Sequence, residues 1–399
     1  MAASRRLVLH VGAMKTGTTY VQNLLEVNRE ALASQGWWAP DQRRVVRATR
    51  ELLALTDDAG RGRRGLRGRP SATSPRWEKL LAEARERPEP HTVVSMEFLS
   101  FAERARARQV VASASGLDVH VVLTARDAVG ALPSQWQSLT RNRSSLAWPE
   151  FAEAARLAGA GGRPGSRPGV KAFRRTQDLP RMVEAWGEAV PRERFSVVTV
   201  PGSDQPRDLL WTRLLGVLGV DPAATTPESP FSNPQLGYGS CELLRRVNGA
   251  GLAGLKAGDY RRVMRRLARG HLLPLRDRQT RPRPDRATAE AAVGLNARTL
   301  DAVGRWATLV GDPADLPVGL AADVELDPGT SPGLPPDDEV RLAAQTAWRG
   351  GAELCAEEGL ALPADLPAEA PDDLDRAVTG LATMLGVAIT RDPAYRAGR

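Results

Sequence analysis

The sequence predicts a three-layer α/β fold, with a central, mainly parallel sheet between helices and a helical extension at the C-terminal end. Three observations carry this prediction. Short runs rich in Val and Leu, at 7–11, 91–99, 118–125 and 195–200, read as buried strands. Segments with helical spacing separate them, and strands alternating with helices imply parallel pairing through right-handed crossovers. Beyond residue 310 the composition turns to Asp, Pro and Gly with few basic residues, and two amphipathic helical patterns follow. The expected organisation is an α/β domain over 1–310, a linker over 311–336 and a helical extension over 337–399.

The 399-residue chain is long enough for a large core, and its 42% apolar content is ordinary for a globular protein. No apolar run reaches the length of a membrane span, and Met1 to Arg6 lead straight into the first strand without a secretory pattern. Cys241 and Cys355 are too few and too far apart for a disulfide framework or a zinc site. A reducing cytoplasm is the expected setting, without stable membrane insertion. The formal charge of +8 comes almost wholly from arginine, which suits phosphate- or sulfate-bearing ligands. The basic residues are scattered and form no nucleic-acid-reading motif.

Residues 6–34 give the first strand, a turn on Gly12 and Gly17, and a helix facing inward through Val21, Leu24, Leu25, Asn28 and Leu32. Gly36 to Pro40 leave that helix, with Trp37 and Trp38 packing the loop down or lining a cleft. A helix is expected over 42–58 and another over 75–87, around Trp77, Leu80, Leu81 and Ala84. Between them the basic, glycine-broken stretch 61–70 reads as a solvated loop or a lid over an anion. The second strand ends at Glu97, the third at Arg126-Asp127 and the fourth at Pro201-Gly202. Ligands of parallel sheets bind beyond the C-terminal strand ends, so Gly12, Glu97, Arg126 and Gly202 share one edge. Stretches 158–170 and 221–236 read as loops, 207–219 as a helix around Leu210, Trp211 and Leu214, 240–270 as basic helix, 271–286 as a basic loop, and 287–310 as helix. The extension's helices are expected at about 337–360 and 368–388.

Strand, glycine turn and helix in that order present backbone N–H groups and a positive helix end to an anion. A Walker A loop reads G-x-x-x-x-G-K-[ST]. Here the two glycines have that spacing, but Thr18 stands where the lysine belongs, and the lysine comes earlier, as Lys15. Thr18 and Thr19 can cap the helix and bond a phosphate through their hydroxyls.

Lys15-Thr16-Gly17-Thr18-Thr19 resembles the 5′-phosphosulfate loop of sulfotransferases that use 3′-phosphoadenosine 5′-phosphosulfate (PAPS). The family often has proline before the lysine, where this chain has Met14. Arg126, with Ser134 eight residues on, resembles the family's 3′-phosphate signature. A guanidinium forks onto phosphate with two parallel bonds, and a hydroxyl at a helix start adds another. Pro133 fits a first helical turn better than a helix interior. Tyr20 stands where cytosolic members usually have tryptophan, either against adenine or in the core. The resemblance covers roughly residues 5–220. A late Arg-Lys-Gly segment of many members is absent, and Arg262–Arg269 or Arg276–Arg286 are its stand-ins.

The resemblance implies a P-loop-type fold and transfer of a sulfuryl group from PAPS, as co-substrate, to a hydroxyl or amine of a carbohydrate, lipid or natural-product acceptor, with no metal. Lys15 would neutralise charge on the leaving phosphate. Glu97 falls where the cytosolic members carry their catalytic histidine, and other branches use a glutamate. It is the candidate base, or else a strand-end residue bonded to its neighbours. His10 is the other candidate base, although a histidine within a strand is more often a hydrogen-bonded core residue. Two rival readings are a P-loop kinase or NTPase, which would want lysine after Gly17, and a non-catalytic binding protein on a degenerate transferase fold.

Overall fold

The computed structural model describes residues 5–53, 74–159, 167–229 and 235–398. The basic stretch 61–70 lies outside them, as does part of each expected loop at 158–170 and 221–236. The protein is α/β. Six parallel strands, β1 (Arg6–His10), β2 (Trp37–Trp38), β3 (His91–Ser95), β4 (Asp118–Ala125), β5 (Phe195–Thr199) and β6 (Thr308–Val310), form one sheet in the order β2-β3-β1-β4-β5-β6.

Successive side chains of a strand point to opposite faces, and the burial follows that period. Leu7, Leu9, Val94, Val121, Leu123 and Val197 join one core with helices Gln42–Leu52, Pro75–Glu86, Arg104–Ser113, Leu179–Gly187 and the end of Arg286–Trp306. Val8, Val93, Val122 and Val198 join another, under helices Thr18–Val27 and Leu209–Leu218. Helices thus flank both faces.

Two of the six strands were not expected. Trp37 and Trp38 form a two-residue edge strand, too short to show any period. Thr308–Val310 pairs with β5 where a helix was expected to continue. The helix after β1 breaks at Asn28, whose side chain donates to Leu24 O and accepts from Thr226 N at 2.7 Å. The basic helix over 240–270 is two helices, Tyr238–Gly249 and Ala257–Leu267. Helix Ala128–Arg141 starts early enough to put Pro133 in its interior, where sequence reasoning placed a first turn.

A third core joins helices Ala128–Arg141, Trp148–Gly159, Tyr238–Gly249 and Ala257–Leu267 to the late helices Asp337–Glu357 and Leu374–Thr390. Trp136 meets Tyr238 edge-on within it, at 5.4 Å between ring centroids. The segment 311–336 carries a short 3-10 helix, Pro313–Asp315, which is anchored on β5. The buried Asp315 carboxylate accepts from Thr199 Oγ1 at 2.7 Å, Gln205 Nε2 at 2.9 Å and Arg213 Nη1 at 2.6 Å. Among the described residues no helix is long and apolar enough to cross a membrane.

Removing one partner of a buried ion pair strands the other charge. Asp315→Ala therefore lowers the unfolding free energy by about 3–5 kcal/mol, read by urea denaturation. A loss within experimental error would mean that water replaces the carboxylate.

Candidate functional site

The chain leaves β1 toward β3 on one side and returns as β4 on the other, so the strand order reverses beside β1. Parallel sheets hold ligands in the crevice at such a point. Loop 11–17 and the start of helix Ala128–Arg141 both stand there.

Val11 N donates to Val122 O at 2.7 Å and carries β1 one step beyond its last strand residue. A Cβ on Gly12 would lie 2.3 Å from Thr124 Oγ1, so only glycine lets the turn settle on β4. Lys15 and Gly17 both adopt left-handed backbone, at φ 69 and 81°. That conformation costs a lysine energy, and such outliers gather at functional sites.

Side chains hold three consecutive loop carbonyls. Thr16 Oγ1 donates to Ala13 O at 2.7 Å and Thr18 Oγ1 to the same oxygen at 3.2 Å. Gln177 Nε2 donates to Met14 O at 2.7 Å, and Arg126 Nη1 to Lys15 O at 3.4 Å. Among the described residues no acceptor takes the backbone N–H groups of Lys15 to Thr19. Carbonyls bound on one side and donors left over on the other make an anion-binding turn.

Beneath the loop a single proton arrangement satisfies a polar row. Thr16 spends its hydroxyl proton on Ala13 O, so the Thr124 hydroxyl, 2.7 Å away, donates to Thr16. His10 Nε2–H then donates to Thr124 Oγ1 at 3.3 Å, and the Ser95 hydroxyl donates to His10 Nδ1 at 2.7 Å. Burial pulls the His10 pKa down to about 4, which keeps the ring neutral. With both nitrogens engaged and no surface exposed, His10 is a support of the loop.

Burial also pulls the Lys15 ammonium down to about 8, and the charges of Arg141 and Arg126 add to the fall. Arg126 is largely buried itself, and its pKa is lowered by that burial with Asp127 opposing. Asp127 caps helix Ala128–Arg141 through Val129 N and Gly130 N and accepts from Asn296 Nδ2. Ser134 sits on that helix, donates to Gly130 O at 3.2 Å and accepts from Gln235 Nε2 at 2.7 Å. Arg126 thus touches the glycine loop directly, while the Ser134 hydroxyl proton is engaged within its own helix.

Thr18 does not cap its helix: it is the first helical residue, the N-cap is Gly17, and the Thr18 hydroxyl donates to Ala13 O. Thr19 is exposed at the helix start. The Tyr20 hydroxyl donates to Pro227 O at 3.1 Å, and its ring packs on the core under helix Thr18–Val27.

Glu97 opens the short turn Glu97–Phe101 after β3 and accepts from Gln22 Nε2 at 2.7 Å. Ser100 Oγ donates to Glu97 O at 2.7 Å, and Arg181 donates to Ser100 O and Ala102 O. Gln22 lies on the helix that follows the loop, so Glu97 is tied to the same edge as Lys15.

Lys15 also walls a cavity of about 180 Å3 shared with Ser138, Arg141, Arg261 and Arg265. Gln177, Thr124, Arg141 and Arg261 escaped sequence reasoning, whereas Arg265 falls within the Arg262–Arg269 stretch offered as a stand-in. The arginine spacing Arg261/Arg265, one helical turn apart, was the available signal. Among the described residues no group of three or more His, Cys, Asp or Glu is gathered as a metal site. Cys241 and Cys355 are buried free thiols, and burial pushes Cys241 up to about 12.

The lowered pKa of Lys15 sets a sign for pH dependence. The cation attracts an anion below about 8 and loses its charge above it. Affinity of the loop for inorganic sulfate therefore falls once the pH passes about 8, read by titration calorimetry. Lys15→Arg, always charged, flattens that fall. An equal fall in both proteins assigns the titration to another group. The chain matches no protein-family model, no curated protein and no solved structure.

Proposed function

We propose that this protein is a sulfotransferase that uses PAPS as sulfuryl donor. One observation carries the reading. The Lys15-Thr16-Gly17-Thr18-Thr19 loop and Arg126 leave adjacent strands at the same sheet edge, and Arg126 donates to the backbone of Lys15. Two phosphate-type sites so close suit a nucleotide bearing phosphates on both its 5′ and 3′ positions.

In this reading the 5′-phosphosulfate lies against the free N–H groups of the loop, with the Lys15 ammonium at the bridging oxygen. The 3′-phosphate takes Arg126, and Ser134 joins it if its hydroxyl turns away from Gly130 O. The acceptor hydroxyl or amine attacks sulfur in line. The bond from sulfur to the 5′-phosphate oxygen breaks, and 3′-phosphoadenosine 5′-phosphate leaves with the bonding pair. The acceptor proton passes to Glu97. Lys15 supplies the electrostatic share of rate enhancement, which acts where charge develops on the leaving oxygen. Glu97 is half-buried, and Gln22 holds one of its oxygens, which leaves the other for the proton.

A melting-temperature comparison tests the nucleotide. A ligand at one hundred times its dissociation constant adds about 2.7 kcal/mol. A much larger shift with 3′-phosphoadenosine 5′-phosphate than with 5′-AMP is expected. A shift with ATP and magnesium alone would replace this reading by a kinase, and no shift with any of them by a binding protein on a degenerate fold. Arg126→Ala should weaken PAPS far more than adenosine 5′-phosphosulfate, which lacks the 3′-phosphate, and equal losses sink its role.

Once an acceptor is in hand, Lys15→Ala is expected to lower kcat by about 10²–10³. Glu97→Gln is expected to lower kcat by about 10²–10⁴ with nucleotide affinity intact. Normal turnover in Glu97→Gln would remove it as the base.

A further inference from the structure

The two halves of the candidate site separate where their strands end. β1 and β3 run side by side, and Met96 N donates to His10 O at 3.0 Å just past the last residue of β3. From there the chain turns into the glycine loop on one side and into the Glu97–Phe101 turn on the other. Among the described residues the hydrogen bonds that tie these two segments together run through third parties. Gln22 is one, on the helix that follows the loop.

The other is the junction between helices Pro168–Thr176 and Leu179–Gly187. Gln177 leaves the first helix and donates to Met14 O at 2.7 Å and to Thr176 O at 2.9 Å, so its amide is committed to the loop side. Four residues on, Arg181 spends all its guanidinium nitrogens on backbone carbonyls. Nη2 donates to Ser100 O at 3.0 Å, Nη1 to Ala102 O at 3.3 Å and Nε to Arg174 O at 3.3 Å. Ser100 in turn holds Glu97 O through its hydroxyl. Asp178, between the two, caps the second helix by accepting from Arg181 N at 3.4 Å. Gln177 is 4% exposed and the Arg181 side chain 11%.

Buried donors cost most when they are left unmade, and a charged donor holds its acceptors more tightly than a neutral one. The junction is therefore stiff. One end fixes a carbonyl of the loop that carries Lys15, and the other fixes the backbone of the turn that carries Glu97. In-line transfer needs both at set positions, and a misplacement of about 1 Å costs about 10²-fold.

We propose that Gln177 and Arg181 are positioning residues: together they set where Glu97 stands relative to the glycine loop, so that a nucleotide seated on the loop also orders the Glu97 turn. The inference rests on the sulfotransferase reading and deepens it, because it assigns the spacing between donor and base to side chains that meet no reacting atom.

Hydrogen–deuterium exchange tests it, with 3′-phosphoadenosine 5′-phosphate as the probe. Peptides spanning 12–17 and 97–102 are followed in the free and the saturated protein. The nucleotide is expected to slow exchange at 12–17 directly, and at 97–102 through the junction by about fivefold or more. Arg181→Gln keeps the nucleotide and the protection of 12–17 but loses the nucleotide-dependent protection of 97–102. Arg181→Lys, which keeps a charged donor, recovers part of it. Gln177→Met keeps the length and loses the donor, so it cuts the link at its other end. It weakens nucleotide binding by about five- to tenfold and, once saturated, shows the same loss at 97–102. It serves if Arg181→Gln does not fold.

No protection of 97–102 in a wild type whose 12–17 is protected overturns the proposal. So does nucleotide-dependent protection that persists in both variants. A variant that exchanges faster at 97–102 by the same factor with and without nucleotide has lost structure only, and the link then runs through Gln22. If the wild type binds no nucleotide, the sulfotransferase reading fails and the positioning role with it.

Discussion

The glycine loop works because its carbonyls are taken. Thr16 and Thr18 hold the oxygen of Ala13, Gln177 that of Met14 and Arg126 that of Lys15. A peptide plane has its N–H and C=O at opposite ends, so fixing the oxygen fixes the donor. Four side chains from three parts of the chain thereby aim the N–H groups of one turn. Thr124 beneath Gly12, with His10 and Ser95 behind it, forms the floor on which that turn rests. Burial keeps His10 neutral, and the arrangement suits the neutral ring. A charged ring would donate from both nitrogens and force Ser95 to reverse its bond.

The strands that carry the site were legible because they are buried on both faces and read as continuous apolar runs. Each strand expected from the sequence is present. The two that escaped lie at the sheet's edges. Trp37–Trp38 is too short to show a period, and Thr308–Val310 follows a long helix with only Ala307 between them. The order β2-β3-β1-β4-β5-β6 places β1 among the central strands, and its pairing with β4 puts Lys15 beside Arg126. Alternating strands and helices implied a parallel sheet, not which strands are neighbours.

Within the site, the residues on local motifs were visible and those reached through tertiary contact were not. Lys15 and Gly17 stand out because glycine spacing and a strand-turn-helix context are local signals. Gln177 is a polar residue at the end of a helix, indistinguishable in sequence from any other, and acquires a role only when helix Pro168–Thr176 packs beside the loop. Pro133 misled in the opposite direction. Its local preference for a first turn yielded to a helix that starts at Ala128, where Asp127 supplies the cap. The run 311–336 reads as a linker from its composition; Asp315 ties it to the end of β5, and Asn296 and Tyr238 donate to its carbonyls at Pro317 and Gly333.

The clasp between helix Ala257–Leu267 and the C-terminal helices also orders events during synthesis. By the time β4 is made, the glycine loop has both neighbouring strands and can dock on Thr124. The arginines at 262 and 266 must wait for Glu357 and Glu358; Arg262 and its partner Glu358 are separated by 96 positions in the chain. A nascent chain therefore has its glycine turn long before the wall opposite it is held in place. Translation brings the last wall of the cavity under control only when the final helices emerge, so a truncated product carries the glycine loop without a properly oriented arginine wall.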